Sequence, residues 1–388
     1  MSLDFVARRY DTHEPVRVRT AAGKIVRVEP LASTSVKSPL PWVAPGFVDV
    51  QVNGFDGQEF SAFDLTPEKV LRITQRHYPF GVTGYCPTLT TQSIACLTHG
   101  VATIHQACET MPEVARHVVG IHVEGPYFST EDGPRGAHPK EHCRTPNYDE
   151  FRSLQDAAGG RIRILTMSVE FDEAPDFIAQ VSASGVTVSI GHTGASGAQI
   201  KAAVDAGATM STHLGNGAHR MLRRHPNYIW DQLAEDRLTA SLIVDGHHLP
   251  AEVVKSMVRA KTPARTVLVS DVSGLAGLPV GRYPMTSGIE LEILPDGRLC
   301  IAGQDQLLAG ASLPIGFGVA NVMRFAGVDL QTAVTMGSTG PAKLIGAPCG
   351  GLRPGDRADL VLFTLDGEPS VLNVAATIAC GDVIFGKS

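Results

Sequence analysis

A chain of 388 residues, 43% hydrophobic and 19% charged, holds enough apolar material for a large core, in one big α/β barrel with an appendage or in two to three domains. The balance of 33 basic against 39 acidic residues gives a formal charge of −6 with no polybasic block, which argues against nucleic acid or an anionic membrane as partner. Seven cysteines (86, 96, 108, 143, 300, 349, 380) are scattered without any C-x-x-C, as suits reduced thiols in a cytoplasm, and the N-terminal MSLDFVARRYD lacks the apolar core of a signal peptide.

Residues 1–46 read as short strands separated by turns. From there, strand-like apolar runs alternate with helical patterns, the signature of a parallel sheet built from βα units. The runs are WVAPGFVDVQVN (42–53), GVTGYCPTL (81–89), HVVGIHVEG (117–125), RIRILTMSVE (161–170), VTVSIGHT (186–193), ATMSTHLGN (208–216), LTASLIVDGHH (238–248) and RTVLVSDVS (265–273). Helices are expected between them, among others over 66–77, 196–207 and 250–260, several opened by a Ser, Thr or Pro start signal. Eight strands close a (β/α)8 barrel. The last segment, 350–388, again reads as short strands, and neither end is long enough for a good core of its own. The expected organisation is a barrel over 47–349 beside a small β-domain formed jointly by 1–46 and 350–388.

The stretch HVVGIHVEGPYF (117–128) shows where the chemistry is expected. His122 and Glu124 interrupt a buried apolar run and, two apart on a strand, share one face, with Gly125-Pro126 ending the strand just beyond them. Other polar residues recur at the ends of the runs: Gln51 and Asn53 on the first, Glu170 on the fourth, His192 on the fifth, His213 and Asn216 on the sixth, His247 and His248 on the seventh, Asp271 on the eighth. In barrel enzymes that rim carries the active site. Glu124, His192 and His213 form an oxygen-nitrogen-nitrogen set suited to a divalent transition metal with a position left for water, and a cation would neutralise the carboxylate. The run GHTGASG fits neither G-x-G-x-x-G nor a P-loop and reads as a tight βα turn. His13, His77, His99, His105 and His117 lie outside the rim pattern and read as surface or structural residues.

The motifs HVEGPY, SIGHTGA, STHLGN, VDGHH, VSDVSG and the closing GLRPGDRADLVL, in order from about residue 45 to 365, resemble the amidohydrolase superfamily and within it the N-acetylglucosamine-6-phosphate deacetylase family. The resemblance implies one divalent cation, zinc or iron, on Glu124, His192 and His213, with Asp271 as the proton-transferring carboxylate. RGAH resembles the family's K-G-A-H, which implies that His138 polarises the substrate carbonyl. It further implies substrate contacts from Asn216, Gly217 and His248, and an Arg224 that reaches the sugar phosphate from the neighbouring subunit of a homodimer. The implied reaction is deacetylation of an N-acetyl amino sugar phosphate to acetate and the free amine. His122 reads as a packing or supporting residue.

Many amidohydrolases carry H-x-H on the first strand, where this chain has Gln51-Val52-Asn53, and a Lys at the end of the fourth, where it has MSVE; neutral amides are poor metal ligands, so a single metal is expected. The recognition loops depart further: the family's H-L-F/Y-N-A-M is HLGNGAH, with Gly215 for the aromatic, and G-R-E-P-G becomes RRHPN, which keeps Arg224 and Pro226. These departures leave the identity of the sugar open. A hydrolase of a different N-acyl sugar or cyclic amide, and a non-catalytic interaction barrel, stand as alternatives.

Overall fold

The computed structural model describes residues 2–32, 39–284, 290–367 and 371–387. Eight parallel strands follow one another around a barrel: β1 (Phe47–Val52), β2 (Val82–Thr90), β3 (Ile121–Glu124), β4 (Ile162–Met167), β5 (Thr187–Ile190), β6 (Ala208–Ser211), β7 (Thr239–Ile243) and β8 (Thr266–Val269). Residues just beyond the strand ends close the seam, where the Asp271 N–H donates to Gln51 O (3.0 Å) and the Asn53 N–H to Val272 O (2.8 Å). The barrel class read from the sequence therefore holds.

The pleat decides which residues meet. Ile121 and Val123 of β3, with Leu89, Leu165 and Val188 of neighbouring strands, pack in one core with Val70 and Ile73 of helix Pro67–Arg76 and Leu97 and Val101 of helix Ile94–Thr110. A second core joins Val48, Val50, Cys86, Ile164, Met210, Ile243 and Val269 from six strands, with Ala342 and Ile345 packed against them. Helix starts follow the expected chemistry. Thr66 Oγ1 accepts from the Lys69 N–H (3.3 Å), and Ser196 forms a reciprocal cap with Gln199 ahead of helix Gly197–Asp205.

The expected strand 42–53 is two strands. Trp42–Pro45 belongs to a separate seven-stranded sheet and only Phe47–Val52 to the barrel. The break falls at Gly46, whose N–H donates to Asp359 O (2.9 Å) and where a Cβ would lie 2.2 Å from Thr83 Cγ2, so the chain crosses between sheets where no side chain fits. Similarly, the run starting at His117 opens in the helix Pro112–His117, and strand pairing in β3 begins only at Ile121.

The seven-stranded sheet joins both ends of the chain. Trp42–Pro45 pairs parallel with Leu3–Arg9 on one side and antiparallel with Leu360–Asp366 on the other. Pro15–Ala21 and Lys24–Pro30 extend it one way, Val371–Ala379 and Asp382–Gly386 the other. Phe5, Ala7, Val16, Val18, Val43, Leu360, Leu362 and Ile378 form its core.

The sequence reading had no counterpart for the segment after β8. It is a four-stranded antiparallel insertion, Gly281–Pro284, Glu290–Ile293, Leu299–Ile301 and Gln304–Leu308, with a small core of Leu275, Leu291, Ile293 and Leu299. Its strands are short and mix charge with apolar residues, which leaves little periodic signal.

Candidate metal centre

Glu124 is the last residue of β3, while His192, His213 and Asp271 each stand two residues past a strand end, with φ of 52°, 28° and 53°. A left-handed backbone at a non-glycine residue costs about 1 kcal/mol or more, and here it falls on three polar residues that turn inward together.

Glu124 Oε1 lies 3.2 Å from His192 Nε2 and 3.1 Å from His213 Nε2, and the two nitrogens are 3.2 Å apart, all three side chains being buried. The His192 Nδ1–H donates to Pro134 O (2.9 Å), which fixes the tautomer so that Nε2 presents its lone pair to the cluster. His213 Nδ1 has no hydrogen-bond partner among the described residues, so His213 Nε2, 3.2 Å away, either donates to that lone pair or faces a shared cation. The triangle also fits one: tetrahedral ligands at about 2.0–2.1 Å from a metal stand roughly 3.3 Å from each other. Gln51 Nε2 donates to Glu124 Oε2 (3.1 Å), leaving Oε1 as the oxygen facing the imidazoles.

His138 is the fourth member, its Nε2 3.2 Å from His192 Nε2 and 3.9 Å from Glu124 Oε1. Phe128 packs against both rings, with centroids 4.6 Å away in each case. Burial opposes charge on Glu124, yet the imidazoles of His192 and His213 beside it hold it well below the usual carboxylate range. Burial pushes His138 well down and also lowers His192. Burial is the largest influence on His213 and works the same way, but the hydrogen bond and charge of Glu124, with the charge of Asp271, together outweigh it and raise this imidazole. Asp271 is pushed up to about 6, first by burial and then by the charge of Glu124, while its Oδ1 accepts from Asn53 Nδ2 (2.8 Å).

Beneath the cluster, His122 uses both nitrogens. Its Nδ1–H donates to Val50 O (3.1 Å), so Nε2 accepts from the Thr166 hydroxyl (2.7 Å). That fixes the direction of a buried chain in which Ser189 donates to Thr212 (2.5 Å) and Thr212 to Thr166 (2.7 Å). Burial brings His122 down to about 4, which keeps it neutral. With no free nitrogen, it supports the floor of the site.

The remaining expected residues are placed unevenly. The loop at Gly217 presses on the His192 ring, since a Cβ there would lie 2.6 Å from Nδ1. Asn216 directs its backbone N–H (2.9 Å) and its Nδ2 (3.1 Å) to His213 O. His248 Nδ1 bonds Asp245 Oδ2 (2.8 Å), and although burial opposes it, Asp245 is held at about 2 by His248. Arg224 is exposed on the loop before helix Tyr228–Ala234, and its side chain has no hydrogen bond or ion pair among the described residues. Glu170 accepts from the Gly194 N–H (2.8 Å) and so braces the loop after β5. Sequence reasoning missed Asp245, which the i, i+3 spacing to His248 could have suggested. Gln51 and Asn53, read from sequence only as poor metal ligands, each hold a carboxylate.

The model of the amidohydrolase family matches residues 42–384. N-acetylglucosamine-6-phosphate deacetylase of Homo sapiens is 34% identical over 88% of this chain and 83% of its own length. N-acetylgalactosamine-6-phosphate deacetylase of Escherichia coli O157:H7 is 30% identical over 90% of each. The crystal structure of N-acetyl-D-glucosamine-6-phosphate deacetylase from Mycobacterium smegmatis is 30% identical and superposes with a TM-score of 0.86 over 99% of this chain and 100% of that one. With a family match across most of its length and relatives of this similarity, the chain belongs to the amidohydrolase family.

Proposed function

We propose that this chain hydrolyses the acetamide of N-acetylglucosamine 6-phosphate to give acetate and glucosamine 6-phosphate. The observation that carries the reading is the triangle of Glu124 Oε1, His192 Nε2 and His213 Nε2 with edges of 3.1–3.2 Å, in a chain about a third identical to such a deacetylase. The galactosamine epimer is the second reading, favoured by the 30% identical relative that carries that name.

Glu124, His192 and His213 would hold a single divalent cation, zinc or iron by the softness of the donor set. A cation there supplies Lewis acidity, lowering the pKa of water toward neutrality. Asp271 takes the proton of the attacking water, with Asn53 fixing Oδ1 and leaving Oδ2 toward the reaction. His138 stabilises the developing charge on the carbonyl oxygen. As the C–N bond breaks, Asp271 returns its proton to the departing amine, so that acid and amine leave with no net proton held by the enzyme. Support for one cation comes from Gln51 and Asn53, amides whose N–H groups are directed at the two carboxylates.

Asn216, Gly217 and His248 contact the sugar phosphate. Arg224 reaches it from the partner subunit of a homodimer, as the family resemblance implies, and its exposure beside Met221 (90% exposed) and Trp230 (54%) suits a loop covered by a second copy. The chemistry resides in residues 47–349, with 1–46 and 350–388 forming the small β-domain. Among the described residues no helix is long and apolar enough to cross a membrane, and we place the enzyme in the cytoplasm.

The test is acetate release from N-acetylglucosamine, N-acetylgalactosamine and their 6-phosphates, with wild type and Arg224→Ala. Phosphate recognition predicts that the variant loses roughly tenfold or more in kcat/KM, about 1.4 kcal/mol, on the phosphorylated sugar and nothing on the neutral one. Wild-type preference for a neutral sugar withdraws the phosphate.

A further inference from the structure

The motif Asp245-Gly246-His247-His248 contains a histidine that the proposed reaction leaves unused. His248 is tied to Asp245 through its ring and its backbone N–H (2.9 Å), and the His247 N–H donates to the same Oδ1 (2.8 Å). The His247 ring turns the other way. Its Nε2–H donates to Asp296 O (3.0 Å), a backbone carbonyl at the tip of the insertion after β8. A carbonyl can only accept, so the tautomer is set.

That tip is a tight turn between Glu290–Ile293 and Leu299–Ile301. The Gly297 N–H donates to Leu294 O (2.9 Å) and the Leu294 N–H to Arg298 O (2.8 Å), while Asp296 Oδ1 and Oδ2 accept from Arg298 N (3.1 Å) and Nε (2.8 Å). The side chain of Asp296 is thus occupied within the turn, and its carbonyl is left to meet His247. The other end of the insertion is rooted at the proton-transferring residue: the Ala311 N–H donates to Asp271 O (3.0 Å) and the Ser273 N–H to Ala311 O (2.9 Å). One element is therefore fixed at Asp271 by its base and at the His248 loop by its tip.

We infer that His247 is a positioning residue that clasps the turn of this insertion onto the loop bearing His248, so that the insertion holds His248 in register with Asp271. Its ring touches no member of the metal cluster. It acts on substrate only through the placement of its neighbour, a reading that rests on the substrate role proposed for His248. Loss of the clasp loosens binding while leaving bond cleavage intact, which predicts a change in KM with kcat conserved.

The experiment compares His247→Ala and His247→Gln in the full, metal-loaded chain, by hydrogen exchange at residues 294–299, metal content, and kcat and KM for N-acetylglucosamine 6-phosphate. Gln retains a side-chain N–H for the Asp296 carbonyl. We expect faster exchange in His247→Ala, KM raised roughly fivefold as befits one hydrogen bond, kcat within about twofold and metal content unchanged, with both changes reversed in His247→Gln. Unchanged exchange in His247→Ala overturns the clasp, and faster exchange with unchanged KM overturns its bearing on substrate. A kcat that falls together with metal content indicates general damage and also rejects the proposal. Absence of acetate release by wild type would withdraw the proposed reaction, and with it the substrate role, while the exchange arm still decides whether His247 holds the turn.

Discussion

The first two strands of the seven-stranded sheet follow the local rule of alternate burial. Along Pro15–Ala21 the residues Val16, Val18 and Thr20 face the core and the arginines between them face outward. At the barrel rim the local rules are broken together: a carboxylate and three imidazoles are buried side by side, and His192, His213 and Asp271 add a left-handed backbone that is uncommon outside glycine. The first region is stabilised by apolar burial and tolerates small changes. The second is held by the surrounding barrel and gathers the donors of a candidate cation site, so that small changes should be costly to function and modest for the fold.

The sharpest way to break this contrast is Glu124→Gln, which removes the charged member of the cluster while keeping its shape. Metal content should fall to near background and acetate release with it, by about a thousandfold or more, as expected when Lewis-acid chemistry is lost. Elemental analysis decides it: full occupancy in the variant would mean that the triangle is not the metal site. Next in size is Asp271→Asn. Its amide cannot take a proton, so kcat should drop about a hundredfold or more while metal and substrate binding persist. Turnover that survives with an unaltered pH profile would reduce Asp271 to a structural residue.

The same contrast explains what could be read from sequence. Eight strands were legible because their apolar runs are long and closed by Gly, Pro or a helix start, and the cluster was legible because Glu124, His192 and His213 break such runs at their ends. The split at Gly46 was hidden, since WVAPGFVDVQV is apolar throughout and only the approach of Thr83 marks the crossing. Gln51 and Asn53 find their carboxylates 73 and 218 positions away in the chain, contacts that no local pattern encodes. His122 could be placed on the correct face, but the capture of both its nitrogens depends on Val50 and Thr166 of other strands.

A third prediction probes a buried acid that lies between the two regimes. Asp49 of β1 accepts from the backbone N–H groups of Gln51 (3.3 Å) and Ser270 (3.2 Å) at the barrel seam, and burial raises it from 3.8 to about 7 despite those bonds. The folded chain binds this proton more tightly than the unfolded chain. Its contribution to stability is therefore complete below about pH 4 and is lost as pH rises through about 7. Between about pH 5.5 and about pH 7.5 that loss is on the order of 2 kcal/mol. Denaturant midpoints of Asp49→Asn should show this part of the pH dependence removed; a variant that tracks wild type at both pH values would locate the sensitivity elsewhere.

The smallest effect is expected in the seven-stranded sheet. Asp4 pairs with Arg17 Nε at 2.7 Å and with Arg19 Nε at 3.1 Å on the outward face of Leu3–Arg9, with 44% of its side chain exposed. Directly beneath, Phe5 and Ala7 pack on Val16 and Val18, so register is already fixed by the apolar face. Water and salt screen the ion pairs, and holding two long arginines in place costs side-chain entropy. Asp4→Ala should therefore lower stability by less than about 1 kcal/mol, by still less at high salt, and should leave kcat/KM unchanged. Chemical denaturation and acetate release measured on one preparation test both halves. A loss well above that figure would show that the sheet depends on its surface charges, and a fall in kcat/KM would show that the sheet and the barrel rim are coupled.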